Sequence, residues 1–150
     1  ELSLETWRRI LAVNLDGTFF VCQAALPHLL AARGNIVNMS STAALAGHPW
    51  TAAYSASKGG VLALTYTLAI EYCAQGLRAN AVCPGSVTTP IHSAFKLPAG
   101  ADRKLVYRIM PPDGVFRGPE AAASVVAFLA SDDAAHINGT EIRVDGGTLS

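Results

Sequence analysis

A long apolar stretch between two short strand-like runs constrains the fold of this chain more than any other feature. Residues 35–40 and 77–82 both read as short strands that end in small or turn-forming residues. The helix predicted between them, over residues 53–75, is apolar at almost every position of its middle. Such a helix is buried on several sides, within the domain or against another subunit. Strand, helix and strand in this order predict a parallel pair with a right-handed crossover, and thus an α/β fold.

Another helix is predicted at the beginning of the sequence. Ser3 is a preferred N-cap residue, and Glu5 follows in the first turn, where the helix dipole favours an anion. Apolar residues at helical spacing continue to Leu29. Pro27 is predicted to bend this helix and Gly34 to end it.

The C-terminal third mixes irregular and regular segments. Residues 90–117 contain prolines and glycines without a clear period, which is typical of a lid or binding loop. A helix is predicted to begin at Gly118 and Pro119 and to reach about Ala130. The alternation of residues 140–145 predicts a further strand. Since no repeat or linker divides the chain, a single domain is predicted.

Charge and hydropathy narrow the classes of partner. Lys plus Arg and Asp plus Glu both number 11, so the formal net charge is +0. Without a run of basic residues, neither nucleic acid nor an acidic membrane surface is predicted as a partner. No uninterrupted apolar run reaches the ~18 residues of a membrane span, so no spanning segment is expected.

The cysteines and histidines indicate neither a disulfide framework nor a metal site. Three cysteines without a Cys-x-x-Cys pair are typical of reduced, mostly buried thiols in a cytoplasmic protein. The four histidines lie far apart, without metal-ligand spacing. Residues 1–5 are too polar for a signal peptide. Because the sequence does not begin with Met, residue 1 is not expected to be the natural start.

The segment from Tyr54 to Lys58 points most directly to chemistry. Positions i and i+4 of a helix lie one above the other, so the Tyr54 phenol and the Lys58 ammonium are predicted to share a face. A cation beside a phenol favours the phenolate, which lets a tyrosine exchange a proton with an alcohol or a ketone near neutral pH. Ser41, 13 residues upstream, could hydrogen-bond the same substrate oxygen. Together these residues indicate an oxidoreductase.

The same residues are predicted to meet at one edge of the sheet. Ligands of parallel α/β sheets bind beyond the carboxyl ends of the strands. The first strand delivers Ser40 and Ser41 to that edge, the second delivers residues 84–89, and Tyr54 begins the helix that descends from it. Because adjacent strand residues point to opposite faces, only one of the two serines is expected to face a substrate.

Five motifs, in this order and spacing, resemble those of the short-chain dehydrogenases/reductases. They are Asn14-Leu15-Asp16-Gly17, residues 35–41, Tyr54-x-x-x-Lys58, Pro84-Gly85-Ser86-Val87-Thr88-Thr89-Pro90, and residues 139–147 with the closing strand. The resemblance covers essentially the whole chain. It implies a Rossmann-like, doubly wound parallel sheet, of which residues 1–150 form the C-terminal portion.

The family pattern also contains a segment that these residues do not. It opens with strand–TGxxxGxG–helix, whose glycines let the backbone approach the cofactor pyrophosphate. We therefore expect the N-terminal half of the fold to be absent, so that residues 1–150 form a partial dinucleotide-binding catalytic domain that binds cofactor poorly in isolation. The choice between NAD and NADP depends on a residue of that other half.

The resemblance implies hydride transfer between NAD(P)(H) and a secondary alcohol or ketone. It makes Tyr54 the general acid/base and Ser41 the group that polarises the substrate carbonyl. It assigns the nicotinamide ribose hydroxyls to Lys58. Asn14 would position a water that relays protons from Lys58 to solvent where the helix opens locally. The family's spacing to the tyrosine favours Ser41 over Ser40.

Further site residues follow from the same resemblance. Val87 and Thr89 would contact the nicotinamide and its carboxamide. His48 and Trp50 lie in the loop where the family often lines its substrate pocket, although a loop histidine and tryptophan are as often structural. The predicted cofactor-binding residues are Tyr54, Lys58, Pro84, Gly85, Val87 and Thr89, and the predicted substrate-binding residues are Ser41, His48, Trp50 and Tyr54.

Other classes of protein share part of this pattern. A serine hydrolase could use Ser41, His48 and Asp145, but no G-x-S-x-G elbow presents the serine. A Ser–Lys amidase would leave Tyr54 without a role. A non-catalytic dimerisation or binding module stays open as the alternative to an enzyme. In either case the long apolar helices predict a homodimer or homotetramer.

Overall fold

Helices and strands alternate around one parallel sheet in the computed structural model, which describes residues 2–90 and 97–150. Residues 91–96 of the predicted irregular stretch therefore lie outside the described residues. The helices are α1 (Leu4–Leu11), α2 (Gly17–Ala32), α3 (Ala52–Tyr72) and α4 (Glu120–Ala130), and the strands are β1 (Asn35–Met39), β2 (Arg78–Pro84) and β3 (Glu141–Val144). A π-helical turn, Ala12–Asp16, joins α1 to α2, and 3-10 turns occupy Thr42–Ala44, Cys73–Gln75, Arg103–Ile109 and Asp132–Ala134.

The sheet has the order β1-β2-β3, and both pairs are parallel. Met39 at the end of β1 lies opposite Val82, and Pro84 at the end of β2 lies opposite Val144. The carboxyl ends of all three strands therefore share one edge. The unit β1–α3–β2 is the predicted strand–helix–strand crossover, which confirms the α/β class.

Buried side chains hold helices on both faces of the sheet. One cluster joins α2 and α3 to the sheet, and a second joins α4 to the other face, as the doubly wound arrangement predicts. Ala79 and Val82 of β2, which are an odd number of positions apart, belong to opposite clusters because strand side chains alternate. The first cluster contains Cys22, Ile36, Leu68, Ala69, Leu77 and Ala79, and the second contains Val82, Ala122, Leu129 and Ala134.

The predicted first helix is one continuous segment with a different end from the one predicted. Ser3 is its N-cap, and the serine hydroxyl accepts a hydrogen bond from a first-turn N–H, as expected. At the other end Arg33, rather than Gly34, adopts the left-handed conformation, with φ of 50°. The N–H of Gly34 then closes the turn on the carbonyl of Leu29 at 2.8 Å. Arg33 thus takes the position that usually favours glycine.

This segment also corrects an expectation about membrane spans. By length and composition alone, the 29-residue helix Leu4–Ala32 is apolar enough to cross a membrane. The prediction from uninterrupted runs missed it because polar residues such as Asn14 break the run without making the whole helix polar. The helix packs closely on α3, since a Cβ added to Gly60 would lie 2.7 Å from the Leu15 side chain. It is a structural layer of this α/β fold.

The other helix ends follow the predicted signals closely. Gly76, with φ of 87°, ends the 3-10 turn that continues α3. Helix α4 begins at Glu120 behind Pro119, so its cap lies one residue later than predicted. All three cysteines are free thiols, but Cys73 is exposed and only the other two are buried. Across residues 2–90 and 97–150, no group of three or more His, Cys, Asp or Glu side chains could hold a metal ion.

Candidate active site

Lys58 connects the start of α3 to the end of β1. Its Nζ donates a hydrogen bond to the carbonyl of Met39 at 2.8 Å and lies 5.9 Å from the centroid of the Tyr54 ring. The i, i+4 pair therefore shares one helix face, as the spacing predicted. Met39 precedes Ser41 by two residues, so this bond brings the pair beside the strand end that carries the serine.

The environment of Lys58 disfavours its charged form. Burial lowers the pKa of Lys58 from its ordinary value of 10.5, and the electrostatic interaction with the nearby Cys83 acts in the opposite direction. Cys83 is itself fully buried at the end of β2, and burial raises the pKa of its thiol. The environment of Cys83 thus favours its neutral thiol form, which is a poor nucleophile.

The two neighbouring serines have different hydrogen-bond partners. The Ser40 hydroxyl donates to the backbone carbonyl of Lys58 at 2.9 Å, so its single proton is used inside the protein. The Ser41 oxygen instead accepts from the N–H of Ala43 at 3.1 Å, an interaction that leaves the Ser41 proton available. Both serines are buried. Of the two, Ser41 is the hydroxyl that can donate to a ligand.

Asn14 lies in the π-helical turn between α1 and α2. The N–H of Gly17 reaches back five residues to the carbonyl of Ala12, which widens the helix at this point. The helix therefore opens locally at Asn14, as predicted, and turns of this kind are frequent at functional sites. The Asn14 carbonyl accepts the Thr18 hydroxyl at 2.7 Å, and its Nδ2 donates to Ser57 Oγ at 3.0 Å.

Ser57 is a residue of this region that sequence reasoning missed. It is fully buried, accepts the Asn14 amide and donates its own proton to the Tyr54 carbonyl at 2.7 Å. It stands in a run of alanine and serine, where the local sequence does not distinguish it from its neighbours. Its position three residues after Tyr54, on the buried side of α3, is the signal that could have found it.

The loop after β2 is fixed at the same sheet edge. Gly85 is required where β2 passes β3, because a Cβ there would lie 2.8 Å from the Cβ of Asp145. The Thr42 hydroxyl donates to the carbonyl of Pro84 at 3.3 Å, which joins this loop to the segment after β1. Val87 then forms a parallel bridge with Arg117. The half-buried Thr89 follows two residues later.

His48 and Trp50 lie in the loop before α3. The Nε2 atom of His48 is buried without a hydrogen-bond partner in the described part of the chain, and burial lowers the pKa of this histidine. Trp50 is 37% exposed and has a left-handed backbone, with φ of 62°, which is unusual for a bulky residue. Within the described ranges, no hydrogen bond joins either side chain to Ser41 or Tyr54.

Asp145 is already engaged by the backbone that follows it. Its carboxylate accepts N–H groups of Gly147 at 3.0 Å and Leu149 at 3.1 Å. The aspartate therefore closes the turn after β3. This gives no support to a hydrolase triad built from Ser41, His48 and Asp145.

Comparisons with known proteins agree with the fold and extend over the whole chain. The sequence model of a family described as enoyl-(acyl carrier protein) reductase matches residues 1–148. Meso-2,3-butanediol dehydrogenase of Serratia marcescens is 44% identical over 150 residues, which are 100% of this chain and 58% of that protein. A protein of Xanthobacter autotrophicus described as inactive 2-(S)-hydroxypropyl-CoM dehydrogenase 2 is 46% identical over 147 residues, or 96% of this chain and 64% of that protein.

A solved structure shows the same arrangement of elements. A crystal structure from Burkholderia xenovorans, described as a short-chain dehydrogenase/reductase, superposes with a TM-score of 0.82 and 34% identity. The match covers 98% of this chain and 56% of that one. The chain thus spans roughly three fifths of the length of the proteins it matches, 58% and 64% of the two relatives above.

Proposed function

Because the chain belongs to the short-chain dehydrogenase/reductase family, we propose that it supplies the proton-transfer residues of an oxidoreductase. The reaction moves a hydride between NAD(P)(H) and a secondary alcohol or ketone. The observation that carries this proposal is the Tyr54–Lys58 pair, fixed beside Ser41 by the bond from Lys58 Nζ to the Met39 carbonyl. That geometry offers one phenol, one ammonium and one hydroxyl donor at the carboxyl edge of a parallel sheet.

The residues present fit the nicotinamide end of such a cofactor. An ammonium has three protons, and Met39 uses one, so Lys58 can also donate to ribose hydroxyls. Thr89 and Val87 lie on the loop that β2 delivers to the same edge. The 150 residues contain no TGxxxGxG motif for the pyrophosphate. The chain therefore contains residues for one end of NAD or NADP.

When bound, NAD(P)⁺ would supply the acceptor for the hydride that leaves the carbinol carbon in the oxidation direction. Tyr54 takes the hydroxyl proton, and the Lys58 cation favours the phenolate that receives it. Ser41 donates a hydrogen bond to the same oxygen, which stabilises the charge that develops there. Asn14 holds the π-helical turn next to α3, where a water can pass the proton from Lys58 to solvent.

The relatives support a secondary alcohol as the reacting group. Meso-2,3-butanediol and a 2-hydroxypropyl compound, the compounds that the names of the two relatives above contain, both carry a hydroxyl on a carbon bonded to two other carbons. The rest of these two molecules differs widely. The shared chemistry is therefore the group oxidised, while the loop of His48 and Trp50 is proposed to contact the remainder of the substrate.

The activity is tested with the polypeptide that carries this chain. Meso-2,3-butanediol and a panel of other secondary alcohols are supplied with NAD⁺ or NADP⁺, and the absorbance of the reduced nicotinamide is followed. We expect reduction that depends on alcohol and enzyme. The relative described as inactive favours a second candidate, a non-catalytic homologue. That candidate predicts cofactor binding without turnover for every alcohol in the panel.

The two serines are expected to respond differently to truncation. Ser41→Ala removes the only free hydroxyl donor of the pair, so kcat is expected to fall by about 10- to 100-fold with little change in the unfolding temperature. Ser40→Ala leaves the Lys58 carbonyl without its donor, so it is expected to lower the unfolding temperature. Steady-state kinetics and thermal denaturation of both variants separate these effects. A larger kcat loss for Ser40→Ala would reverse the assignment.

We also propose that the protein is a cytoplasmic homodimer or homotetramer. The free thiols fit a reducing compartment. Val13 in the π-helical turn, Val21 on α2 and Ile70 on α3 are 69%, 70% and 77% exposed, which leaves apolar helix faces uncovered. A second copy of the chain would bury them. Ile70→Asp is expected to shift the sedimenting species toward the monomer, and a wild-type protein that sediments as a monomer contradicts the proposal.

A further inference from the structure

A buried hydrogen-bonded chain connects the π-helical turn to the backbone of the proposed general base. Asn14 Nδ2 donates to Ser57 Oγ at 3.0 Å, and Ser57 Oγ donates to the Tyr54 carbonyl at 2.7 Å. Ser57 is completely buried, so no water competes for either bond. Asn14 lies in the π-helical turn, whereas Tyr54 and Ser57 lie in α3. Asn14 and Ser57 are 43 residues apart in the sequence.

The direction of these bonds fixes the orientation of the asparagine amide. A serine hydroxyl has one proton, and Ser57 uses it on the carbonyl of Tyr54. Its oxygen can therefore only accept from Asn14, which forces the NH₂ group of the amide toward Ser57. The amide oxygen of Asn14 is then on the side of the amide group that lies away from Ser57 Oγ. A residue at position 57 without a hydroxyl would leave both orientations of this amide open.

Close packing beside these hydrogen bonds keeps the π-helical turn and α3 aligned with each other. A Cβ on Gly60 would lie 2.7 Å from the Leu15 side chain, so α3 and the π-helical turn are in close contact at this position. Leu15 follows Asn14, and Gly60 lies three residues after Ser57. The hydrogen bond and the close approach therefore fix the same interface at adjacent positions.

A further hydrogen bond engages the start of α3, which carries Tyr54 and Lys58. The Ser40 hydroxyl donates to the carbonyl of Lys58, the residue after Ser57. The backbone carbonyls of Tyr54 and Lys58 thus both accept from buried hydroxyls, one from within α3 and one from the residue that follows β1. Ser57 is the member of this set that reaches Asn14.

We propose that Ser57 is a positioning residue that couples the amide of Asn14 to the backbone of Tyr54. This inference rests on the proposed function, since it assigns to Ser57 the task of holding the acid/base and the proton exit in one geometry. Ser57 itself touches neither substrate nor cofactor. Its loss therefore acts on the rate of the proton-transfer step through Asn14 and Tyr54, and not on the affinity for the alcohol.

The test is a double-mutant cycle in the polypeptide that carries the chain. Ser57→Ala is expected to lower kcat by about 3- to 10-fold, the range of one or two buried hydrogen bonds, with KM unchanged. Ser57→Thr keeps the hydroxyl and is expected to restore part of the loss. In an Asn14→Ala background, Ser57→Ala should cost less than in the wild type, because the partner is already gone.

A second measurement, hydrogen–deuterium exchange, tests the same proposal and does not require turnover. Hydrogen–deuterium exchange of the peptide covering residues 10–20 is expected to be faster in Ser57→Ala, because the π-helical turn loses its bond to α3. Ser55→Ala is the matched control, since Ser55 lies on the same helix and its hydroxyl bonds to Thr51. That variant should change neither exchange at residues 10–20 nor kcat.

The outcomes separate the two proposals. Unchanged kcat and unchanged exchange in Ser57→Ala overturn the positioning role, even if Tyr54→Phe abolishes turnover. Additive kcat losses of Asn14→Ala and Ser57→Ala also contradict it, because independent residues show no coupling. A wild-type protein without turnover overturns the proposed function, and in that case the exchange data alone decide whether Ser57 holds the turn.

Discussion

Tyr54→Phe is expected to lower kcat by about 10²- to 10⁴-fold, the range typical of losing a general acid/base. The ring remains, so the packing around it and the contact with Lys58 Nζ at 5.9 Å are preserved. Only the phenolic oxygen that exchanges the proton is removed. Steady-state rates with an active alcohol and thermal denaturation of the same samples check that the loss is chemical.

Tyr66→Phe is the matched control for this change. Tyr66 lies on the same helix and is 37% exposed, against 36% for Tyr54. Its hydroxyl donates to Glu141, and burial, together with this hydrogen bond, raises the pKa of Tyr66 to about 12. We expect Tyr66→Phe to retain full turnover. Equal activity of the Tyr54→Phe and wild-type proteins would show that another group moves the proton.

Lys58→Met is expected to lower kcat by about a hundredfold or more, since it removes the cation that favours the phenolate and a donor to the ribose. Lys58→Met is not expected to lower the stability of the folded protein. Because burial disfavours the ammonium in the folded state, the variant is expected to unfold at a temperature at least as high as the wild type at pH 7. The Met39 carbonyl lies at the exposed edge and can bond to water instead.

This stability difference depends on pH in a defined direction. The pKa of Lys58 is lower in the folded than in the unfolded chain, where it is 10.5. Between these two values the unfolded chain holds more protons, so the wild-type stability rises with pH there. The advantage of Lys58→Met should therefore shrink as the pH approaches 10.5.

Lys104→Met, at an exposed lysine, serves as the control for the stability measurement. It is expected to change neither turnover nor the unfolding temperature at pH 7. A Lys58→Met variant that unfolds well below the wild type at pH 7 would mean that the bond to Met39 outweighs the cost of burying the ammonium. That result would contradict the account of this site as one where function is maintained at the expense of stability.

Local patterns in the sequence predicted most of the fold. The apolar middle of α3 and the two flanking strands specified the crossover, because period and order alone distinguish a parallel pair from a hairpin. The pairing of Tyr54 with Lys58 followed from helix geometry alone. The family resemblance, rather than these physical patterns, distinguished Ser41 from Ser40 before the hydrogen bonds of the two hydroxyls were known.

Features that depend on contacts distant in sequence were not predictable in the same way. Ser57 is ordinary in its local sequence, and its role depends on Asn14, 43 residues away. Arg33 takes the left-handed cap position although Gly34 follows it, because the turn closes through the bond from Gly34 to Leu29. The left-handed backbone of Trp50 is likewise set by the loop around it and not by its own preference.

The central claim is that this site couples hydride transfer to proton transfer through Tyr54, and isotope transfer tests it most directly. The polypeptide that carries the chain is incubated with NAD⁺ or NADP⁺ and secondary alcohols, meso-2,3-butanediol among them, deuterated at the carbinol carbon. Mass spectrometry of the nicotinamide then shows where the deuterium is. We predict deuterium in the reduced nicotinamide with the wild type and with Tyr66→Phe, and almost none with Tyr54→Phe. Equal deuterium transfer by Tyr54→Phe, or none by the wild type with any alcohol, would contradict the claim.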